Sequence, residues 1–284
     1  MNQGDRRQYL IRTLADENSR YAGMKIPRDE QEQKWLLRGL MNIRAPKDVS
    51  GEFLAVQDAY LTEETRRKGI IDVDDLEPVR DGIYLWQGDI TTLRCDAIVN
   101  AANSGMTGCY VPNHNCIDNC IHTCAGVQLR LECAALMELQ GYEEPTGGVK
   151  ITKAYNLPCE YVLHTVGPII TGPVTKRDRT LLSSCYRSCL MLAAQKGLQS
   201  VAFCCISTGE FHFPNEEAAR IAVTSVQEFL RQESSVKKVI FNVFKDTDRE
   251  IYARLLGIQH GSHTANDCGF RESMPPDKAA SPME

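Results

Sequence analysis

Hydrophobic and polar positions change their period once along this chain. Over residues 1–75 the apolar residues recur at helical spacing. Asp29 and Glu30 open the run EQKWLLRGLM, which must stop before Pro46, and Ser50 caps the run FLAVQDAYLTEETRRK, which ends at Gly69. Trp35, Leu36, Leu40, Phe53, Leu54 and Tyr60 form stripes that need a packing partner, most simply the domain that follows. No catalytic cluster stands out in this segment. From about residue 82, short β-branched or apolar runs alternate with longer helical patterns. The predicted strands are Ile83–Gln87, Ala97–Asn100, Val149–Thr152, Tyr161–Val166, Ser200–Ile206 and Lys238–Val243. The predicted helices cover about 117–140, 179–196, 215–232 and 247–256, with Asn215 and Asp246 at N-cap positions and Gly197 and Gly257 at C-caps. Such alternation predicts an α/β fold with a mostly parallel sheet, which binds ligands at the carboxyl ends of its strands. Beyond about 258 the chain turns to Gly, Ser, Asn, Pro and charge without periodicity. The expected organisation is a helical extension over 1–75, an α/β domain over 76–257 and a disordered tail over 258–284.

Composition narrows the field of partners. The 284 residues carry a formal net charge of -5 and no long Lys/Arg run, which argues against duplex nucleic acid. The first residues, MNQGDRRQYL, lack a signal-peptide core, and no run of 18 apolar residues occurs, so the expectation is a cytoplasmic protein without a membrane span. Twelve cysteines are many, yet Cys185, Cys189, Cys204 and Cys205 lie inside apolar segments, where a reduced Cys acts as a small hydrophobe.

Four segments carry candidate chemistry: Gly88-Asp89-Ile90-Thr91, Asn100-Ala101-Ala102-Asn103-Ser104, Ile117-Asp118-Asn119-Cys120-Ile121-His122 leading to Ala125-Gly126, and Ile206 through Pro214. Between them stand Ala154–Pro158 and His164–Pro168. In this order, over about residues 82–256, the set resembles the macrodomain family. The resemblance implies a three-layer α/β/α macrodomain with a mixed, mostly parallel sheet, and ADP-ribose lying across the strand ends. The Asp89 carboxylate suits an exocyclic amine, and in the family the matching Asp selects adenine, with Ile90 beside it; an exposed turn Asp is the alternative. Ser207, Thr208 and Gly209 are small enough for backbone N–H groups to approach phosphates, although a tight strand-to-helix turn explains them equally. Glu210, Phe211 and His212 complete that loop, and His212 stands where the family usually has a second Gly. Phe244 matches an aromatic that stacks on adenine, with a core position as the alternative. Asn103 matches the distal-ribose contact, whereas Asn100 is expected to bond the loop backbone.

The departure from the common family pattern is Gly108-Cys109-Tyr110-Val111-Pro112-Asn113-His114-Asn115-Cys116, where many members have a glycine run. The spacing C-x4-H-x-C offers two thiolates and an imidazole, a zinc donor set that leaves a fourth position open. It is similar to the zinc-dependent class of macrodomains, whose members also carry a helical N-terminal extension. The alternatives are coincidence in a Cys-rich chain, or a structural zinc with Cys120 as fourth ligand. Cys120 and Cys124 fit a helix core better than a metal shell, and His122 and His164 fit hydrogen-bonded core positions better than a metal shell. Asp118 matches an acid near the distal ribose in hydrolytic branches, where it would orient or deprotonate water; as a plain helix-start residue it would only complement the macrodipole. The resemblance thus implies a hydrolase with one zinc ion per chain that removes mono-ADP-ribose from modified proteins, using Asp118 and Asn103, with ADP-ribose and mono-ADP-ribosylated proteins as partners. A reader module without catalysis, or an O-acetyl-ADP-ribose deacetylase, would share most of these residues.

Overall fold

The computed structural model describes residues 1–258. Three helices come first: α1 (Gln3–Asp16), α2 (Glu30–Ile43) and α3 (Gly51–Lys68). The Asp29 and Ser50 side chains accept hydrogen bonds from the N–H groups of Glu32 and Phe53, and Gly69 closes α3 at φ 90. Leu10, Ile11 and Leu14, Leu37, Leu40 and Met41, and Phe53, Tyr60 and Leu61 meet in one buried cluster. Trp35 does not join them and is 59% exposed. The buried stripe of α2 runs through Leu37, Leu40 and Met41, and a residue two positions before Leu37 lies on the far side of the helix.

The remaining elements are β1 (Ile71–Asp72), β2 (Ile83–Gln87), β3 (Leu93–Arg94), β4 (Ala97–Ala101), α4 (Ile117–Ala125), α5 (Val127–Gln140), β5 (Val149–Lys153) and β6 (Tyr161–Thr165). They are followed by α6 (Lys176–Gln195), β7 (Ser200–Phe203), α7 (Asn215–Leu230), β8 (Lys238–Val243) and α8 (Asp246–Leu256). Six strands make one sheet in the order β2-β8-β7-β4-β6-β5, parallel throughout except for the antiparallel β5–β6 pair at one edge. Helices α4 and α5 cover one face and α6, α7 and α8 the other, giving three α/β/α layers. Val99, Leu163, Val201, Phe203, Ile240 and Phe241 are buried in the central core. The short β1 pairs with β3, and the α1–α3 cluster packs against Val127 of α5.

Several expected boundaries move. The single helix over 117–140 is two helices, broken at Gly126 with φ 99. A Cβ there would stand 2.7 Å from Gln57 Nε2 and from Gln128 Oε1, so the break also seats α3 against α5. Helix α6 starts at Lys176 because Thr175 and Asp178 form a capping box. Pro214 and Lys245 occupy the N-cap positions expected for Asn215 and Asp246, each of which is the first helical residue. Asn215 instead donates to Asp248, and Asp246 accepts from Gln87 at 2.8 Å. Strand β7 ends at Phe203 rather than Ile206, because the chain turns toward a left-handed Ser207 at φ 65. Ile258 completes the α8 C-cap by donating to the Ala253 carbonyl at 2.9 Å; the rest of the expected tail lies outside the described residues. Among the described residues no helix is long and apolar enough to cross a membrane. The eleven described cysteines are free, and six of them are buried.

Candidate active site

Strands β2, β4, β7 and β8 run parallel, so their carboxyl ends lie along one edge of the sheet. The segments that follow them are Gly88–Asp89, Ala102–Asn103, Cys204–Pro214 and Phe244, which the topology places along that edge.

Asp89 caps a 3-10 turn over Ile90–Thr92. Its Oδ1 accepts from the Thr91 backbone N–H at 3.0 Å and the Thr91 hydroxyl at 2.7 Å, and its Oδ2 accepts from Lys68 Nζ at 3.0 Å. Burial alone would raise the pKa of this carboxyl, but Lys68 and Thr91 outweigh it and hold the group below its usual range. Oδ2 keeps a lone pair for one further donor. Ile90 is 1% exposed, so its side chain belongs to the core. What it can offer a ligand is its backbone N–H, which has no protein acceptor among the described residues. Phe244 is 70% exposed just past β8, which removes the core alternative for it.

The loop Ser207–His212 is tied by three backbone bonds: Phe213 N–H to Ser207 O, His212 N–H to Gly209 O, and Ile170 N–H to Phe211 O, at 2.9–3.0 Å. Among the described residues the N–H groups of Gly209, Glu210 and Phe211 have no protein acceptor. Consecutive unpaired N–H groups form a concavity suited to an anion. The Ser207 hydroxyl is buried in the same loop without a partner, and Thr208 bonds back to the Cys205 carbonyl at 3.0 Å. His212 takes the left-handed conformation at φ 56 that glycine adopts most readily, and its side chain is exposed.

Asn103 and Asp118 are in contact. Asn103 Nδ2 donates to Asp118 Oδ2 and to the Gly108 carbonyl, each at 3.2 Å, and Asn100 Nδ2 donates to Asp118 Oδ1 at 2.8 Å. Both partners of Asn103 Nδ2 are acceptors, which fixes the orientation of the amide and leaves its oxygen, on the side toward Gly105, without a protein donor. Asp118 itself is 3% exposed in the first turn of α4. Burial pushes its carboxyl up to about 6, against the opposing pull of Asn100, Arg130 and Asn103.

The Cys109 and Cys116 thiols and the His114 imidazole lie with their ligand atoms all within 4.8 Å of one another. Cys109 Sγ is 3.6 Å from His114 Nδ1. Two ligands about 2.3 and about 2.0 Å from a tetrahedral zinc stand roughly 3.5 Å apart, so this spacing fits that ion. The loop reverses through a left-handed Asn113 at φ 56, and Gly108, at φ 85, lies against the His122 ring, where a Cβ would be 2.8 Å away. Burial pushes the Cys116 thiol up to about 12, with Cys109 and Asp118 adding to the effect and the Asn119 N–H opposing it. A divalent cation would stabilise both thiolates. His114 Nε2 points the other way, 3.5 Å from Glu210 Oε1. Cys120 does not join the trio and accepts from Arg38 at 3.5 Å. A second trio, His122, Cys133 and His164, is fully buried. His164 there already contacts Asn100 Nδ2 at 3.1 Å and the Thr152 hydroxyl at 2.9 Å, in keeping with a hydrogen-bonded core residue, whereas His122 is buried with neither ring nitrogen hydrogen-bonded among the described residues, against that expectation.

Residues that sequence reading passed over also reach the site. Lys68 ends α3 beside Asp89, and Arg38 and Asn42 of α2 touch the Cys109–Cys116 loop. Their signal in the sequence is only a polar stripe on a helix, with nothing to name its partner.

Fold and loop geometry together define an α/β protein with unpaired backbone N–H groups and a thiol–imidazole cluster on the loops that follow the strands of a mostly parallel sheet. Comparison with known proteins agrees with this class. The Macro domain family profile matches residues 99–222. A protein-ADP-ribose hydrolase of Treponema medium is 58% identical over 260 residues, covering 90% of this chain and all of that one. A protein-ADP-ribose hydrolase of Staphylococcus aureus is 51% identical over 249 residues, covering 87% and 93%. The solved Trypanosoma brucei macrodomain in complex with ADP-ribose is 31% identical with a TM-score of 0.60, covering 77% of this chain and 95% of that one. This chain belongs to the Macro domain family.

Proposed function

We propose that this protein is a zinc-dependent hydrolase that removes mono-ADP-ribose from modified proteins. The observation that carries the reading is the convergence of Cys109, His114 and Cys116 on a loop whose Gly108 carbonyl is held by Asn103, itself bonded to Asp118. The two relatives named as protein-ADP-ribose hydrolases, alignable over nearly their whole length, support the substrate class.

In this reading Asp89 accepts the adenine amine and the Ile90 N–H adds a second contact, with Phe244 stacking on the ring. The N–H groups of Gly209, Glu210 and Phe211 bind the pyrophosphate, with Ser207, Thr208 and His212 shaping that loop. Asn103 presents its amide oxygen to a distal-ribose hydroxyl. Asp118 acts from behind Asn103: it holds the amide in that orientation and, with its raised pKa, suits transfer of a proton near neutrality. Cys109, His114 and Cys116 would hold the zinc ion, and Glu210 would orient the His114 ring through Nε2. Bound zinc supplies Lewis acidity for a ribose oxygen or a water.

Incubation with a mono-ADP-ribosylated protein, with and without a chelator, tests the proposal. The expected result is release of ADP-ribose that stops on chelation and returns with zinc. Tight ADP-ribose binding without release from any linkage tried would favour a reader, and release unaffected by chelation would remove the zinc role.

A further inference from the structure

Helix α2 has two working faces. Leu37, Leu40 and Met41 face the helical cluster. Arg38 and Asn42, one turn apart, face the Cys109–Cys116 loop and α4. Gly39 between them lets the helix lie close: a Cβ there would be 3.1 Å from Asn113 Nδ2 and 3.8 Å from Pro112 Cβ. Asn42 Oδ1 accepts from the Asn113 backbone N–H at 2.8 Å, and Asn42 Nδ2 donates to the Thr123 hydroxyl at 2.9 Å. Arg38 Nη2 donates to the His114 carbonyl at 2.7 Å and to Asn119 Oδ1 at 3.0 Å, and Nε donates to the same Oδ1 at 3.3 Å. Asn119 in turn spans the loop: its Nδ2 donates to the Val111 carbonyl at 3.0 Å, and its backbone N–H donates to Cys116 Sγ at 3.4 Å.

One guanidinium therefore holds the backbone of His114 and the residue that touches Cys116. The loop has no regular secondary structure before α4 and reverses through the left-handed Asn113, so its shape depends on these outside bonds. We propose that the N-terminal helical segment is part of the metal site, and that Arg38 is a positioning residue holding His114 and Cys116 in ligand geometry. The proposal rests on the zinc reading above. It requires a planar fork, because two different oxygens are served at once; an ammonium on a flexible stem serves them less well.

Two readouts on the full chain test it: the rate of zinc loss to a colorimetric chelator, and the visible spectrum of the cobalt-substituted protein, which reports coordination geometry. Arg38→Ala should weaken zinc retention roughly 10- to 100-fold, the usual effect of losing an outer-shell partner. It should also shift the cobalt bands, and Arg38→Lys should recover part of both. The control is Arg7→Met, which removes the bonds of Arg7 to Gln33 and Glu30 within the same segment. It should lower thermal stability and leave both metal readouts at wild type. Wild-type zinc retention and cobalt spectra in both Arg38 variants would overturn the proposal, as would an Arg7→Met protein that loses zinc as fast as Arg38→Ala. Should Arg38→Ala fail to fold, Arg38→Lys and Asn42→Ala carry the same comparison. A wild-type protein that binds no zinc would overturn the zinc reading and this proposal with it, an outcome distinct from zinc-bound wild type matched by its Arg38 variants.

Discussion

Asp89 and Asp118 are two carboxylates in opposite settings. Asp89 is held ionised by Lys68 and Thr91, as a fixed acceptor should be. Asp118 is buried behind two asparagine amides, with its carboxyl raised to about 6. Asp89→Ala should weaken ADP-ribose binding about ten- to a hundredfold, the effect of losing a charge-assisted hydrogen bond of roughly 1.5–3 kcal/mol. Calorimetry measures this, and unchanged affinity would take Asp89 out of the site. Asp118→Ala should slow turnover about 10²- to 10⁴-fold, with a smaller change in ADP-ribose affinity and zinc still near one per chain. The variant also leaves the amides of Asn100 and Asn103 short of an acceptor, so it should unfold more easily, by about 1–3 kcal/mol. Hydrolysis at the wild-type rate would reduce Asp118 to a helix-start residue. Both acids were legible as candidates from their motifs. That Lys68 neutralises one and two amides cradle the other was not, because these partners lie up to 21 residues away in the chain.

At the scale of elements, the Cys109–Cys116 loop sits between α2 and the start of α4, and Cys116 caps α4 with its sulfur. The domain has a large core of its own, so under the proposed function its fold should not depend on a metal held by this loop. His114→Ala is expected to lose hydrolysis and zinc while keeping most of its thermal stability. Elemental analysis beside a thermal melt decides this; global unfolding of the variant would point to a structural zinc instead. The spacing of the trio was readable because all three residues fall within eight positions. The His114–Glu210 contact was not, since it joins two loops that follow different strands of the sheet.

Across the whole molecule, two clusters share one seam, the helical cluster of α1–α3 and the central core. Arg130 on α5 stands at that seam, 5% exposed. Its Nη1 donates to the carbonyls of Met41, Asn42 and Arg44, its Nε to Thr107 O and its Nη2 to Cys109 O, at 2.6–3.3 Å. Its guanidinium also lies 4.2 Å from the Tyr110 ring centroid. Arg130→Met would leave several buried carbonyls without a donor, so it should destabilise the protein by about 3 kcal/mol or more. In a thermal melt that is a fall of roughly 2–4 °C per kcal/mol. A melt unchanged within a degree would show that the two clusters do not depend on this residue.

The sequence by itself determined the alternation of strands and helices, the order of the segments that follow the strands at the sheet edge where α/β folds bind ligands, and the spacing of Cys109, His114 and Cys116. Each of these is written in local periodicity or in the order of motifs along the chain, and neither depends on how distant segments meet. Tertiary structure alone decided the break at Gly126, the burial of the Ile90 side chain, the exposure of Trp35 and Phe244, and the partners Lys68, Arg38 and Arg130. Those outcomes depend on which face of an element meets another element. Arg38 and His114 are 76 positions apart, and a polar residue on a helix carries no record in its own neighbourhood of the loop that will fold against it.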